Sequence, residues 1–167
     1  ICVVTREFES VINKVVNTTI NPLTLSVVNQ DGKPVCLQDK LGAPIVLYFY
    51  PKDDTPGCTL EACSFRDANT DLQKLGVQII GVSADSVDSH NQFAKKYSLN
   101  FPLWSDPKRE LLQAFGALSE KSLFGKIFLG VKRMSIALDE HGKVIHVWDS
   151  VNPETHANEV LEFFKGL

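Results

Sequence analysis

The chain has 167 residues, 44% of them hydrophobic, and carries 17 Lys and Arg against 20 Asp and Glu for a formal net charge of −3. That length and apolar fraction suffice for one ordinary core-forming domain, and no basic block is present to favour nucleic acid or an anionic membrane as a partner. The longest uninterrupted apolar run, Ile45 to Tyr50, falls far short of the ~20 residues that a bilayer span requires.

Taken in chain order, Phe8, Val11, Ile12, Val15 and Val16 form an amphipathic helical stripe over residues 5–17, capped by Thr5 and ended at Asn21-Pro22. Residues 1–22 are therefore read as an N-terminal extension, and residues 23–167 as the main domain. The charges on the polar face of the stripe cancel, which fits packing against the domain or a second subunit and leaves a monomer or a homodimer as the expected state. Leu23 to Val28 reads as a strand that turns at Asp31-Gly32 into a second strand, Val35 to Leu37, with Cys36 as core filler. Ile45 to Tyr50 is apolar throughout, as a central strand covered on both faces should be. A helix is expected from about Gly57 to Leu75, ending before Gly76, followed by a buried strand from Val77 to Ser83.

The next helix runs from about Val87 to Tyr97. Phe101 to Trp104 is extended, and Pro107 opens a helix to about Phe115. Gly116, Gly125 and Gly130 mark residues 116–131 as mostly irregular. Arg133 to Leu138 and Lys143 to Ser150 form two strands joined by the turn at Asp139 to Gly142, and Pro153 to Leu167 closes the chain as a helix. Strands joined by helices should be parallel and the final hairpin antiparallel, giving a mixed sheet flanked by helices, the pattern of a thioredoxin-like α/β fold.

Four cysteines, Cys2, Cys36, Cys58 and Cys63, are too few and too clustered for a disulfide scaffold. With no secretory signal legible, they fit thiol chemistry in a reducing compartment, and a cytoplasmic protein is expected. Cys58 is the informative one. The buried strand breaks at Pro51, a short polar turn follows, and Cys58 falls in the first turn of the next helix, where unpaired N–H groups and the positive end of the macrodipole favour a thiolate. Thr55, three positions earlier, has a hydroxyl that can reach the sulfur or a bound oxygen, or can simply cap the helix. Gly57 lets the backbone approach a small substrate.

Ionisation alone accomplishes little. Lowering a thiol pKa from about 8.5 to about 6 raises its thiolate fraction roughly 30-fold at neutral pH, but costs roughly 10-fold in intrinsic nucleophilicity. Most of the rate must come from alignment and from a cation that stabilises charge on the leaving oxygen.

The string Tyr48 to Thr59, with Pro51, Thr55 and Cys58 in Pro-x-x-x-Thr-x-x-Cys order and Glu61-Ala62-Cys63 behind it, resembles the peroxiredoxins. Its nearest likeness is to their bacterioferritin-comigratory-protein, or peroxiredoxin Q, subfamily. The likeness continues through Gly81 to Ser86, Phe101 to Leu103, Ser105 to Pro107 and Val147-Trp148, and covers residues 23–165. It implies a thiol peroxidase with Cys58 as peroxidatic cysteine, Cys63 as resolving cysteine and Arg133 as the cation facing the thiolate. It also implies a hydroperoxide substrate, thioredoxin or a similar dithiol as reductant, and no cofactor or metal. The chain departs from the family in following Arg133 with Met134-Ser135-Ile136 instead of Ser-Thr-Phe.

Five positions on a helix separate two Cα atoms by roughly 8–9 Å, beyond the ~7 Å that an unstrained disulfide allows. A Cys58–Cys63 disulfide therefore requires the start of the helix to unwind. Two other readings use the same residues: a thiol–disulfide oxidoreductase, which the Cys-x4-Cys spacing disfavours, and a peroxide-responsive redox sensor. Ser83, in Gly-Val-Ser-Ala-Asp, lacks the second glycine of a hydrolase elbow.

Overall fold

The computed structural model describes residues 21–167, so the stripe over residues 5–17 and Cys2 lie outside the described residues. Among the described residues, nine strands follow in chain order: β1 (Val27–Asn29), β2 (Pro34–Val35), β3 (Ile45–Phe49), β4 (Gln78–Ser83), β5 (Leu103–Ser105), β6 (Leu118–Leu123), β7 (Lys126–Val131), β8 (Met134–Leu138) and β9 (Val144–Trp148). Four α-helices accompany them: α1 (Pro56–Lys74), α2 (Val87–Lys96), α3 (Glu110–Ala114) and α4 (His156–Lys165). Seven strands form one sheet in the order β2-β1-β5-β4-β3-β8-β9, and β6 and β7 form a separate hairpin.

β3 lies in the interior of this sheet, between β4 and β8, because every one of its side chains is apolar and buried. It pairs parallel with β4, through the α1 crossover, and antiparallel with β8 in the register Phe49↔Met134 to Ile45↔Leu138. The pleat sends Ile45, Leu47 and Phe49 to one face and Val46, Tyr48 and Tyr50 to the other. The first face packs with Ile80, Val82, Trp104, Ile136 and the α3 pair Leu111 and Leu112. On the opposite face lie Ala62, Phe65 and Leu72 of α1, Phe93 of α2, and Val160, Leu161 and Phe164 of α4. The mixed α/β sheet flanked by helices expected from the sequence is the one observed.

Three local expectations need correction. Residues 116–131 are not irregular: Leu118 to Leu123 pairs antiparallel with Lys126 to Val131 around Phe124-Gly125, whose φ values are +51° and +78°. Both central residues being left-handed is the mark of a type I′ two-residue turn, so Gly125 serves a hairpin and does not break the segment. The helix expected from Pro107 begins only at Glu110, because the Asp106 carboxylate accepts from the N–H groups of Glu110 and Leu112 and closes a turn ahead of it. Finally, Leu37 starts a 3-10 turn, and Cys36 caps that turn half-buried, with its thiol 3.3 Å from Asp39 Oδ2.

Gly81 opposes Tyr48 across the β3–β4 ladder, and a Cβ there would lie 2.9 Å from Tyr48 Cζ and from Leu103 Cδ2. Gly81→Ala is expected to destabilise the domain by about 1–3 kcal/mol through overpacking, read as a lower denaturant midpoint at unchanged slope.

Candidate active site

The end of β3 delivers the site. The Tyr50 N–H donates to the Val82 carbonyl, Pro51 ends the ladder, and α1 begins with Pro56 as its first residue, a position where a missing N–H costs nothing. Thr55 precedes it with extended backbone, and its carbonyl accepts from Thr59 N–H at 2.8 Å. Its hydroxyl donates to the Lys52 carbonyl at 3.0 Å, and makes neither a side-chain cap nor a bond to sulfur. Thr55 closes the turn from within.

Cys58 is 1% exposed, one residue into the helix beyond Gly57. Arg133 arrives from the junction of β7 and β8, where the antiparallel pairing of β8 with β3 brings it to the same end of the sheet. Its Nη2 donates to Cys58 Sγ at 3.3 Å. The approach depends on Gly57: a Cβ there would lie 3.1 Å from Nη2 and 3.8 Å from both Arg133 Cζ and Pro153 Cγ. Sequence alone assigned the room at this glycine to the substrate, whereas in the structure the guanidinium fills it.

Glu61 is the site residue that sequence reasoning did not single out. One turn after Cys58 on the same helix face, it is 1% exposed, with Oε2 3.6 Å from Arg133 Nη1. Among the described residues, neither Glu61 oxygen nor Nη1 has a hydrogen-bond partner. Burial pushes the Glu61 carboxyl up to about 7, with the Arg133 charge acting against the rise. A charged residue on a buried face otherwise made of Cys58, Ala62, Phe65, Asn69 and Leu72 was the available signal. Cys63 is half-buried, and Cys58 and Cys63 are free thiols on the uninterrupted α1.

The preceding loop is fastened to α2 by Asp53 and Asp54. Asp53, Asp85 and His90 form the one group among the described residues with the donor types and spacing of metal ligands. Their oxygens are already engaged by the Asp53 amide and the hydroxyls of Tyr50, Ser83 and Ser89, so the cluster reads as a hydrogen-bonded clamp. That leaves Ser83 with a structural partner in Asp85. Behind Arg133, Ser135 and His156 are both fully buried, with Oγ and Nε2 2.7 Å apart. Burial pulls the His156 ring down to about 4.

The family model for AhpC/TSA proteins matches residues 16–147. The putative peroxiredoxin bcp of Coxiella burnetii is 44% identical over 131 residues, spanning 78% of this chain and 87% of the relative. Peroxiredoxin Bcp of Escherichia coli K12 is 41% identical over 140 residues, 84% and 90% of the two chains. A solved structure of Xanthomonas campestris peroxiredoxin Q superposes with a TM-score of 0.83 at 39% identity, covering 87% of this chain and 92% of that one. The chain belongs to the AhpC/TSA family, in its Bcp/peroxiredoxin Q branch. It is a thiol peroxidase with the thioredoxin-like fold of that branch. Among the described residues, no helix is long and apolar enough to cross a membrane.

Two outcomes follow from the geometry. Gly57→Ala should shift the guanidinium by a few tenths of an ångström and slow the reaction of the Cys58 thiol with peroxide by up to roughly 10-fold, with stability little changed. Glu61 binds its proton more tightly folded than unfolded, so its favourable contribution is full below about 4.5 and lost as pH rises through about 7. Glu61→Gln should therefore stabilise the protein above that range by up to about 3 kcal/mol, and by little in acid. Urea denaturation across pH reads this directly.

Proposed function

We propose that Cys58 is the attacking thiol, that Cys63 resolves its oxidised product, and that Arg133 supplies the cation for both ground and transition states. The observation that carries this reading is the 3.3 Å bond from Arg133 Nη2 to Cys58 Sγ. The thiolate attacks the terminal oxygen of a hydroperoxide, the S–O bond forms as O–O breaks, and the departing oxygen leaves as an alkoxide or hydroxide that takes up a proton. Cys58 is then a sulfenic acid. Cys63 sulfur attacks Cys58 sulfur, the S–S bond forms and water leaves.

A hydrogen bond to a charged group contributes about 1.5–3 kcal/mol, and one aimed at developing negative charge about 10²–10³-fold in rate. Either exceeds the few-fold available from ionisation alone. That comparison supports giving Arg133 the larger share. The Nη1 donor, 3.6 Å from Glu61 Oε2 and without a hydrogen bond among the described residues, supports a second contact, to the leaving oxygen. Thr55, anchored by Lys52, and Pro51, which ends the strand, are proposed to shape the pocket wall on the side away from Arg133.

Hydrogen peroxide and organic hydroperoxides are the proposed substrates. A Xanthomonas campestris bacterioferritin comigratory protein, 38% identical at a TM-score of 0.83, has been described for alkyl peroxide reduction, which supports the organic class. The reductant we propose is thioredoxin, attacking the Cys58–Cys63 disulfide after the first turns of α1 have opened.

The test measures peroxide consumption with thioredoxin. Cys58→Ser should abolish it. Cys63→Ser should still consume about one peroxide per chain and then turn over only with a small external thiol. Amide exchange should show residues 57–63 protected when reduced and unprotected in the disulfide form. Equal protection in both states would contradict the proposed resolution step.

A further inference from the structure

The loop that delivers Cys58 is held by two adjacent carboxylates, neither of which touches the sulfur. Asp53 is 6% exposed. Its Oδ1 accepts from the Tyr50 hydroxyl at 2.6 Å, and its Oδ2 accepts from Ser89 Oγ at 2.8 Å. The Asp53 N–H donates to Asp85 Oδ2 at 2.8 Å, an oxygen that also accepts from Ser83 Oγ. Asp54, at a φ of +57°, accepts from Lys96 Nζ at 2.8 Å and from Tyr97 hydroxyl at 2.7 Å. Between them the two residues strap the loop along α2, from Ser89 and His90 to the far end of the helix.

His90 gives this strap its chemistry. The ring is fully buried, with Nδ1 2.6 Å from Asp53 Oδ2 and Nε2 3.0 Å from the Trp104 carbonyl. A carbonyl only accepts, so Nε2 carries a proton and donates it. The short approach of Nδ1 to Oδ2 then needs a second proton on that line, since a bare nitrogen facing a carboxylate would oppose two lone pairs. The hydroxyl protons of Tyr50 and Ser89 are engaged as donors to Asp53 and do not supply it. Asp53 and His90 therefore share one buried proton while the loop is closed.

We propose that His90, through the proton it shares with Asp53, is a positioning residue for Cys58: it holds residues 51–55 fixed while α1 beyond Pro56 unwinds and rewinds in each cycle. The proposal rests on the roles proposed for Cys58 and Cys63. The fixed loop sets the start of α1, and with it the distance from Sγ to the guanidinium; the closed Thr55-to-Lys52 bond keeps Thr55 in the same frame.

The groups facing the pair are Tyr50 from the end of β3, Ser83 and Asp85 from the end of β4, Ser89 from α2 and the Trp104 carbonyl from β5. Burial holds the Tyr50 hydroxyl well above its usual range, so it stays a donor. Among these groups, the line from His90 Nδ1 to Asp53 Oδ2 is the one that ties the loop to the ring on α2, so a variant that removes it should free the loop and one that keeps a hydrogen-bonding group there should not.

The test is stopped-flow oxidation of the full chain by hydrogen peroxide at neutral pH. Asp53→Ala and His90→Phe should each be slower by roughly 10- to 100-fold, the scale of a small misplacement of the reacting group. Asp53→Asn keeps a hydrogen-bonding group against the His90 ring and should be rescued to within about 3-fold of wild type. Should Asp53→Ala or His90→Phe fail to fold, the rate of Asp53→Asn carries the test alone. A folded Asp53→Ala that oxidises at the wild-type rate, or a folded Asp53→Asn outside that range, overturns the proposal. Cys58→Ser, run alongside, separates the two readings: if it still reacts with peroxide, the assignment of Cys58 fails whatever the clamp variants do.

Discussion

The guanidinium of Arg133, held between a buried sulfur and a buried carboxylate, is the interaction around which the site is built. It demands three things from elsewhere in the chain. β8 must run antiparallel beside β3 so that its leading residue arrives at the end where α1 starts. Position 57 favours glycine, because a Cβ there would lie 3.1 Å from Nη2 and crowd the guanidinium. A counter-charge must also hold the second nitrogen, and Glu61 supplies it at the cost of burying a carboxyl whose proton affinity rises to about 7. A buried, imperfectly bonded ion pair is a poor source of stability, so its presence marks a place where the fold gives up stability for chemistry.

Around that interaction the molecule divides into fixed and movable parts. β3, β4 and the clamp from Asp53 and Asp54 to α2 form a cradle in which the Asp53 hydrogen bonds to Tyr50 and Ser89 are short and shielded, while the Asp54 contacts to Lys96 and Tyr97 lie at the exposed edge. α1 begins just outside this cradle and packs on α4 and the sheet through Ala62, Phe65 and Leu72. Its first two turns carry Cys58 and Glu61, and the large apolar side chains Phe65 and Leu72 lie beyond them. Unwinding there costs less than unwinding further along, where Phe65 and Leu72 are fully buried. The separation of Cys58 and Cys63 on a straight helix makes such a local opening necessary for the disulfide proposed between them.

Much of this was legible in the residues. The run Ile45 to Tyr50 announced a two-sided central strand, and the Pro51-to-Cys58 spacing announced both the helix start and the thiol. Arg133 could be named from the family likeness, but its distance from the sulfur could not, since that depends on a strand pairing 75 residues away in sequence. The hairpin at residues 118–131 was hidden because glycine marks both a breaker and a type I′ turn, and only the left-handed φ values of Phe124 and Gly125 separate the two. Glu61 and His90 were hidden for another reason. A polar residue on an apolar helix face gains its meaning from the partner opposite, and neither Arg133 nor Asp53 is near its counterpart in sequence.

The most direct measurement compares two reactions of Cys58 in wild type and in Arg133→Met, at a pH where the thiol is fully ionised in both. One is oxidation by hydrogen peroxide, and the other is alkylation by uncharged iodoacetamide. If the guanidinium acts on the departing oxygen as well as on the sulfur, oxidation should fall by roughly 10²–10³-fold, and alkylation by only a few-fold. Equal losses in the two reactions, or an unchanged rate of oxidation, would contradict the central role of Arg133.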